Sequence, residues 1–94
     1  MNNNTTVVFF FECQGFIKIA SSKYYTDFVS YITGQVKWGN PFDVKYLGYI
    51  PFDNEADAKE QKQLLKTRFK RLWHRNDWYH EDPELHKYIQ KHVR

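Results

Sequence analysis

The order of apolar and polar positions divides the chain into short strand-like runs and longer helical ones. Val7-Val8-Phe9-Phe10-Phe11 is a short run of β-branched and aromatic side chains that predicts a buried strand, and Phe16-Ile17-Lys18-Ile19-Ala20 predicts a second. Cys13-Gln14-Gly15 between them is short enough for a hairpin, with Gly15 suited to a positive φ. Tyr25, Phe28, Val29 and Ile32 then fall at i, i+3, i+4 and i+7, the stripe of an amphipathic helix that Gly34 can end and that should lie across one face of the hairpin. Residues 35–41, with Gly39-Asn40-Pro41 and an exposed-looking Lys37-Trp38 pair, have the chemistry of a loop. Val44-Lys45-Tyr46-Leu47-Gly48-Tyr49-Ile50 predicts a third strand closed by Pro51.

Two more helices follow. Asn54, with Glu55 and Asp57 behind it, has the features of an N-cap, and the pattern runs as one helix from Asn54 to about Trp73, burying Ala58, Leu65, Phe69 and Leu72. Asp82-Pro83-Glu84 supplies cap, N1 proline and acidic first turn for a last helix that buries Leu85, Tyr88, Ile89 and Val93. The order ββαβαα predicts an α+β fold, a three-stranded antiparallel sheet flanked by helices. Residues 1–6 read as a flexible N-terminal tail and 7–94 as a single domain.

Composition narrows this picture. Ninety-four residues with 41% hydrophobic and 19% aromatic content describe one small domain whose core relies on large side chains. The single cysteine, Cys13, excludes an internal disulfide, offers no zinc framework and reads as an inert thiol, as suits a reducing cytoplasm. Neither a signal peptide nor an apolar stretch of about 20 residues is present, so the expectation is a soluble, cytoplasmic protein with no membrane contact.

Net charge is +3, but its placement is uneven: residues 59–75 hold seven of the fourteen cations and one acid, Glu60. On a helix Lys59, Lys62, Lys66 and Lys70 fall within an arc of about 80° and make a continuous cationic stripe. Such a stripe is either a plain solvated face or a surface for an anion. Arg68, Arg71 and Arg75 beside it, with acids nearly absent, move the balance toward sequence-independent, salt-sensitive contact with phosphates.

The other candidate chemistry is weaker. His74, His80, His86 and His92 recur every six residues, about 240° along a helix, and Pro83 divides them, so they read as solvated side chains and not as metal ligands. Asp77 and Trp78 suggest an acid beside an aromatic platform, but Trp78-Tyr79 reads better as packing and Asp77 as a turn residue. No metal and no small-molecule cofactor is expected.

With these residues in place the chain resembles the GIY-YIG nuclease superfamily, in its compact phage and bacterial branch. The resemblance rests on Val8-Phe9-Phe10-Phe11-Glu12, Gly15-Phe16-Ile17-Lys18-Ile19-Ala20-Ser21-Ser22, Gly39-Asn40-Pro41 and Val44 through Pro51. It continues through Leu65 to Phe69, Asn76-Asp77-Trp78-Tyr79 and Pro83-Glu84-Leu85, covering about residues 7 to 89. The framework matches while the catalytic positions do not. The resemblance places the first-motif tyrosine on Phe9, the second-motif tyrosine on Lys18 and that motif's glycine on Ala20. It places the helix arginine on Phe28, the metal-holding glutamate on Lys62, the histidine after it on Lys66 and a further arginine on Trp73. Single-metal phosphodiester hydrolysis needs a carboxylate for the cation, a base or relay for the nucleophile and a positive group at the developing charge. Lys62 repels a metal, and Glu60, about 200° away along the helix, does not replace the missing acid.

Three readings follow. The first is a catalytically inactive GIY-YIG-like domain that binds nucleic acid, DNA before RNA, through Lys18, Lys59, Lys62, Lys66, Arg68, Lys70 and Arg71, with Trp38 a weaker candidate for base stacking. The second is a protein-interaction module, an adaptor or inhibitor, with Phe9, Phe28 and Trp73 as an aromatic patch in the old cleft. The third, an active metal-dependent endonuclease, needs an acid near the stripe that the matching positions do not supply.

Overall fold

A computed structural model describes residues 5–23 and 44–93. Strands β1 (Thr6–Cys13) and β2 (Phe16–Lys23) form a hairpin, and β3 (Lys45–Phe52) pairs with the other side of β1. Helix α1 (Glu55–Arg68), a 3-10 turn (Lys70–Leu72), the short strands β4 (Trp73–Arg75) and β5 (Trp78–His80) and helix α2 (Pro83–His92) complete the order. The sheet is five-stranded, β3-β1-β2-β5-β4, and antiparallel throughout. This corrects the expected three-stranded sheet of order ββαβαα: β4 and β5 extend it beyond β2. The expected helix around Tyr25, Phe28, Val29 and Ile32, the 35–41 loop and Trp38 lie outside the described residues.

Both ends of the β1–β2 link behave as the sequence indicates. Gln14 and Gly15 take positive φ of 52° and 83°, the twist-matched conformation of a two-residue hairpin turn. β1 is central, and Val7, Val8, Phe9, Phe10 and Phe11 are all buried because both faces of the sheet are covered there. Alternation assigns them to two clusters. Val8 and Phe10 join Ile17, Ile19 and Tyr79 under the helices, against Ala58, Leu65, Phe69, Leu72, Leu85, Tyr88 and Ile89. Val7, Phe9, Phe11, Cys13 and Ala20 pack with Val44, Tyr46, Tyr49 and Trp78 on the opposite face. A bulge opposite Phe10 and Phe11, with Gly48 at φ 139°, sends Leu47 to the helix face and Tyr46 to the other. Pro51 lies within β3 and does not end it; β3 is an edge strand, where a missing N–H is tolerated.

The caps predicted for both helices form. Asn54 accepts from the Asp57 N–H at 2.8 Å, and Asp82 accepts from the Glu84 N–H at 2.9 Å with Pro83 at the first helical turn. The long basic helix is shorter than its periodicity suggests. It ends at Arg68, Phe69 N–H closing onto Leu65 C=O, and the chain tightens into the 3-10 turn before Trp73 enters the sheet. No helix among the described residues is long and apolar enough to cross a membrane.

Candidate nucleic-acid interface

Helix geometry sorts the cations of α1 onto two flanks. With Ala58 and Leu65 turned into the core, residues at about 100° per step put Lys59, Lys62 and Lys66 on one side and Gln61 and Arg68 on the other. The second flank faces α2. There Gln61 Nε2 donates to the Tyr88 hydroxyl at 2.6 Å, Arg68 lies 3.6 Å from Glu84, and its guanidinium stands 5.1 Å and 5.3 Å from the Phe69 and Tyr88 ring centres. Arg71 binds Asp82 and Glu84, each at 3.2 Å. The hydrogen bond from Arg71 holds the Asp82 carboxyl below its ordinary range and, in return, raises the guanidinium. Arg68 and Arg71 therefore clamp α1 and the 3-10 turn to the acidic start of α2.

The first flank faces the β4–β5 hairpin. Lys59 pairs with Glu55 one turn earlier at 3.1 Å, a solvent-exposed contact of little energetic weight. Lys62 reaches Asp77 in the hairpin turn at 3.4 Å, and the Asp77 carbonyl accepts from the Ile19 N–H at 2.9 Å, so the turn is tied to β2 as well as to α1. Asp77 is thus the acid beside the stripe. It comes from the turn and not from α1, and it neutralises Lys62.

Lys66 and Lys70 differ from the other cations of α1 and the 3-10 turn. Neither has an acidic partner within 4 Å among the described residues. With Gln63, Thr67 and Trp73 they line a groove of about 360 Å³. Trp73 is 52% exposed although it belongs to a strand. Its Nε1–H donates to the Asn76 carbonyl at 2.9 Å, which fixes the indole by its polar edge. A held, half-exposed ring in one groove with two ammonium groups that no acid among the described residues pairs can stack one flat group and neutralise neighbouring phosphates.

The remaining candidates lie elsewhere. In register, Lys18 stands opposite Phe11 and Trp78, on the face away from α1, with its ammonium 5.3 Å from the Trp78 ring centre. Phe9 and Ala20 are buried on that same face. The positions matched to the nuclease site are thus divided: Phe9, Lys18 and Ala20 on one side of the sheet, Lys62, Lys66 and Trp73 on the α1 side. Phe28 lies outside the described residues. A second cavity of about 400 Å³, lined in part by Cys13, Phe16, His74, Arg75 and Trp78, opens at the end of the sheet. Its Phe16 and His74 rings touch each other and the neighbouring His80 ring, with centres 4.7–5.1 Å apart, and Trp78 already carries Lys18.

The resemblance makes Trp73 a replaced arginine and the periodicity makes it the last residue of the long helix, so neither puts it in the binding set; the structure makes it the first residue of β4. The available signal was local: Trp73-His74-Arg75 and Trp78-Tyr79-His80 are two runs of strand formers separated by Asn76-Asp77, a hairpin pattern. Comparison with protein-family models, curated proteins and solved structures returns no match.

Proposed function

We propose that this domain binds unpaired nucleic acid at the Lys66–Lys70–Trp73 groove without hydrolysing it. The observation that carries this reading is the pairing of a fixed, exposed indole with the two stripe lysines that no acid among the described residues neutralises. Base–aromatic stacking is worth about 1–3 kcal/mol per base and is tolerant of sequence. Lys62, Arg68 and Arg71, spent on Asp77, Glu84 and Asp82, contribute to holding the groove and only weakly to phosphate contact.

The GIY-YIG resemblance remains part of the proposal through β1, β2, β3 and the Leu65–Phe69 end of α1. The hairpin β4–β5, built from the stretch matched to the family's terminal motif, departs from it. The absence of cleavage is supported by the buried, hydroxyl-free Phe9, by Lys62 facing Asp77 and by the separation of Lys18 from Lys62 across the sheet. A protein-docking surface is the second reading. Leu64 and Trp73 are the exposed large apolar side chains among the described residues, but Phe9, which that reading places in an aromatic patch, is buried.

Fluorescence anisotropy of a labelled single-stranded oligonucleotide, with chelator present, tests the proposal. Binding by the wild-type chain, weakened at least tenfold by Trp73→Ala and by Lys66→Glu/Lys70→Glu but little by Lys59→Glu, is the expected result. Equal binding by all four proteins, or cleavage of the strand when magnesium replaces the chelator, contradicts it.

A further inference from the structure

Side chains from three elements, none of them lining the basic groove, converge: Glu12 near the end of β1, Glu81 just after β5, and His86 in the second turn of α2. One ligand atom from each lies within 4.8 Å of the other two. We propose that Glu12, Glu81 and His86 form a binding site for a divalent transition-metal ion, with zinc the best fit.

The three donors lie near enough for one ion to draw them together. His86 Nε2 and Glu81 Oε1 are hydrogen-bonded at 2.8 Å, and two donors bound to one tetrahedral zinc at about 2.0–2.1 Å stand about 3.3–3.4 Å apart, so that edge opens by about half an ångström when the ion replaces the proton. The imidazole is what separates this group from an ordinary acidic patch. Two carboxylates and one imidazole favour zinc and its first-row neighbours over magnesium and calcium, which prefer all-oxygen sets.

The surroundings leave the carboxylates undercompensated. Glu12 is half-buried and makes no ion pair or side-chain hydrogen bond with another described residue, although Lys45 stands across from it on β3. Glu81 has His86 as its ion-pair partner, and its backbone N–H is fixed by the Gly15 carbonyl at 3.0 Å, which holds the residue beside the β1–β2 turn. His86 is placed by the helix itself, its N–H bonding to the Asp82 carbonyl. The backbones that carry all three donors are therefore set by the sheet and by α2 before any ion arrives. A metal there ties the end of β1 and the β5–α2 connection to α2, and water completes its coordination on the solvent side. The spacing of the histidines does not reveal this, because the partners of His86 are glutamates and not other histidines.

The test uses the untagged full chain, freed of metal with chelator and titrated with zinc chloride by calorimetry and by thermal melting, with magnesium chloride in parallel. One equivalent of zinc binding with micromolar affinity, a Tm raised by about 10 °C at hundredfold excess over Kd and no comparable effect of magnesium is the expected result. Glu81→Gln, Glu12→Gln and His86→Gln each weaken binding at least tenfold, while their metal-free melting temperatures report that they fold. His74→Ala/His80→Ala, which removes the other histidine pair, leaves binding intact. The absence of a saturable one-equivalent isotherm, unchanged affinity in the three site variants, or loss of binding in His74→Ala/His80→Ala instead, overturns the proposal.

Discussion

At the scale of the residue, burial decides most of what a substitution does. Phe10 is fully enclosed between β1 and the helices, and Phe10→Ala removes a ring and leaves a cavity, an expected loss of about 3–5 kcal/mol in denaturant unfolding. Leu64, 58% exposed on α1, should change stability by no more than about 0.5 kcal/mol when cut to alanine. Tyr46 is the informative polar case. Its buried hydroxyl has no hydrogen-bond partner among the described residues, and burial, with Tyr49 adding, pushes the phenol up to about 12. Between pH 10 and 12 the unfolded chain releases this proton while the folded chain keeps it, so the contribution is intact below pH 10 and stability falls as pH rises through that window. Tyr46→Phe should therefore be neutral or stabilising by about 1 kcal/mol at neutral pH and should flatten the alkaline loss. Tyr79 and Tyr88, also raised by burial, keep part of it. Melts from pH 8 to 11 on both proteins read the difference, and a steeper alkaline loss in Tyr46→Phe would show the hydroxyl to be satisfied.

At the scale of the element, the β4–β5 hairpin is where sequence and structure part. β1, β2, β3 and α2 are legible because their periodicity and caps agree with their tertiary setting. The 3.6-residue pattern of α1, in contrast, runs on through Phe69 and Leu72, which stay buried after the helix has stopped. Burial at helical spacing therefore does not reveal that the backbone tightens into a 3-10 turn and re-emerges as a strand. The consequence for the site is direct: Trp73 is held by hairpin geometry and not by helix packing. Asn76 sits at φ 51°, where asparagine is tolerated and a β-branched residue costs about 1–2 kcal/mol. Asn76→Val should lower both Tm and oligonucleotide affinity, whereas Asn76→Gly should preserve both. A variant that keeps full affinity with a disrupted hairpin would remove Trp73 from the site. The α2 clamp carries its own pH signature. Asp82 is lowered chiefly by its hydrogen bond from Arg71, so its contribution is complete above the ordinary carboxylate value and disappears as pH falls through the depressed one. Asp82→Asn, which keeps a capping oxygen, should reduce the acid-side slope of stability, and acid titration of the unfolding midpoint checks it.

At the scale of the whole molecule, charge is distributed between holding the fold and facing a ligand. The sequence displays seven cations in one segment but not their division, because the acids that engage three of the four paired candidates, Asp77, Asp82 and Glu84, arrive from the hairpin turn and from α2. What remains is Arg75, at the other cavity, and a small, local cationic surface at Lys66 and Lys70, joined to an aromatic ring. That account makes a quantitative demand on salt dependence, since each phosphate neutralised on a single strand contributes about −0.7 to the slope of log K against log salt. The most direct measurement is that slope for single-stranded oligonucleotide binding by wild type, Lys66→Ala/Lys70→Ala and Trp73→Ala. The lysine pair should flatten the slope by about 1.4, while Trp73→Ala should lower affinity at every salt concentration and leave the slope unchanged. An identical slope in the lysine variant, or undiminished affinity in Trp73→Ala, would contradict the proposed groove.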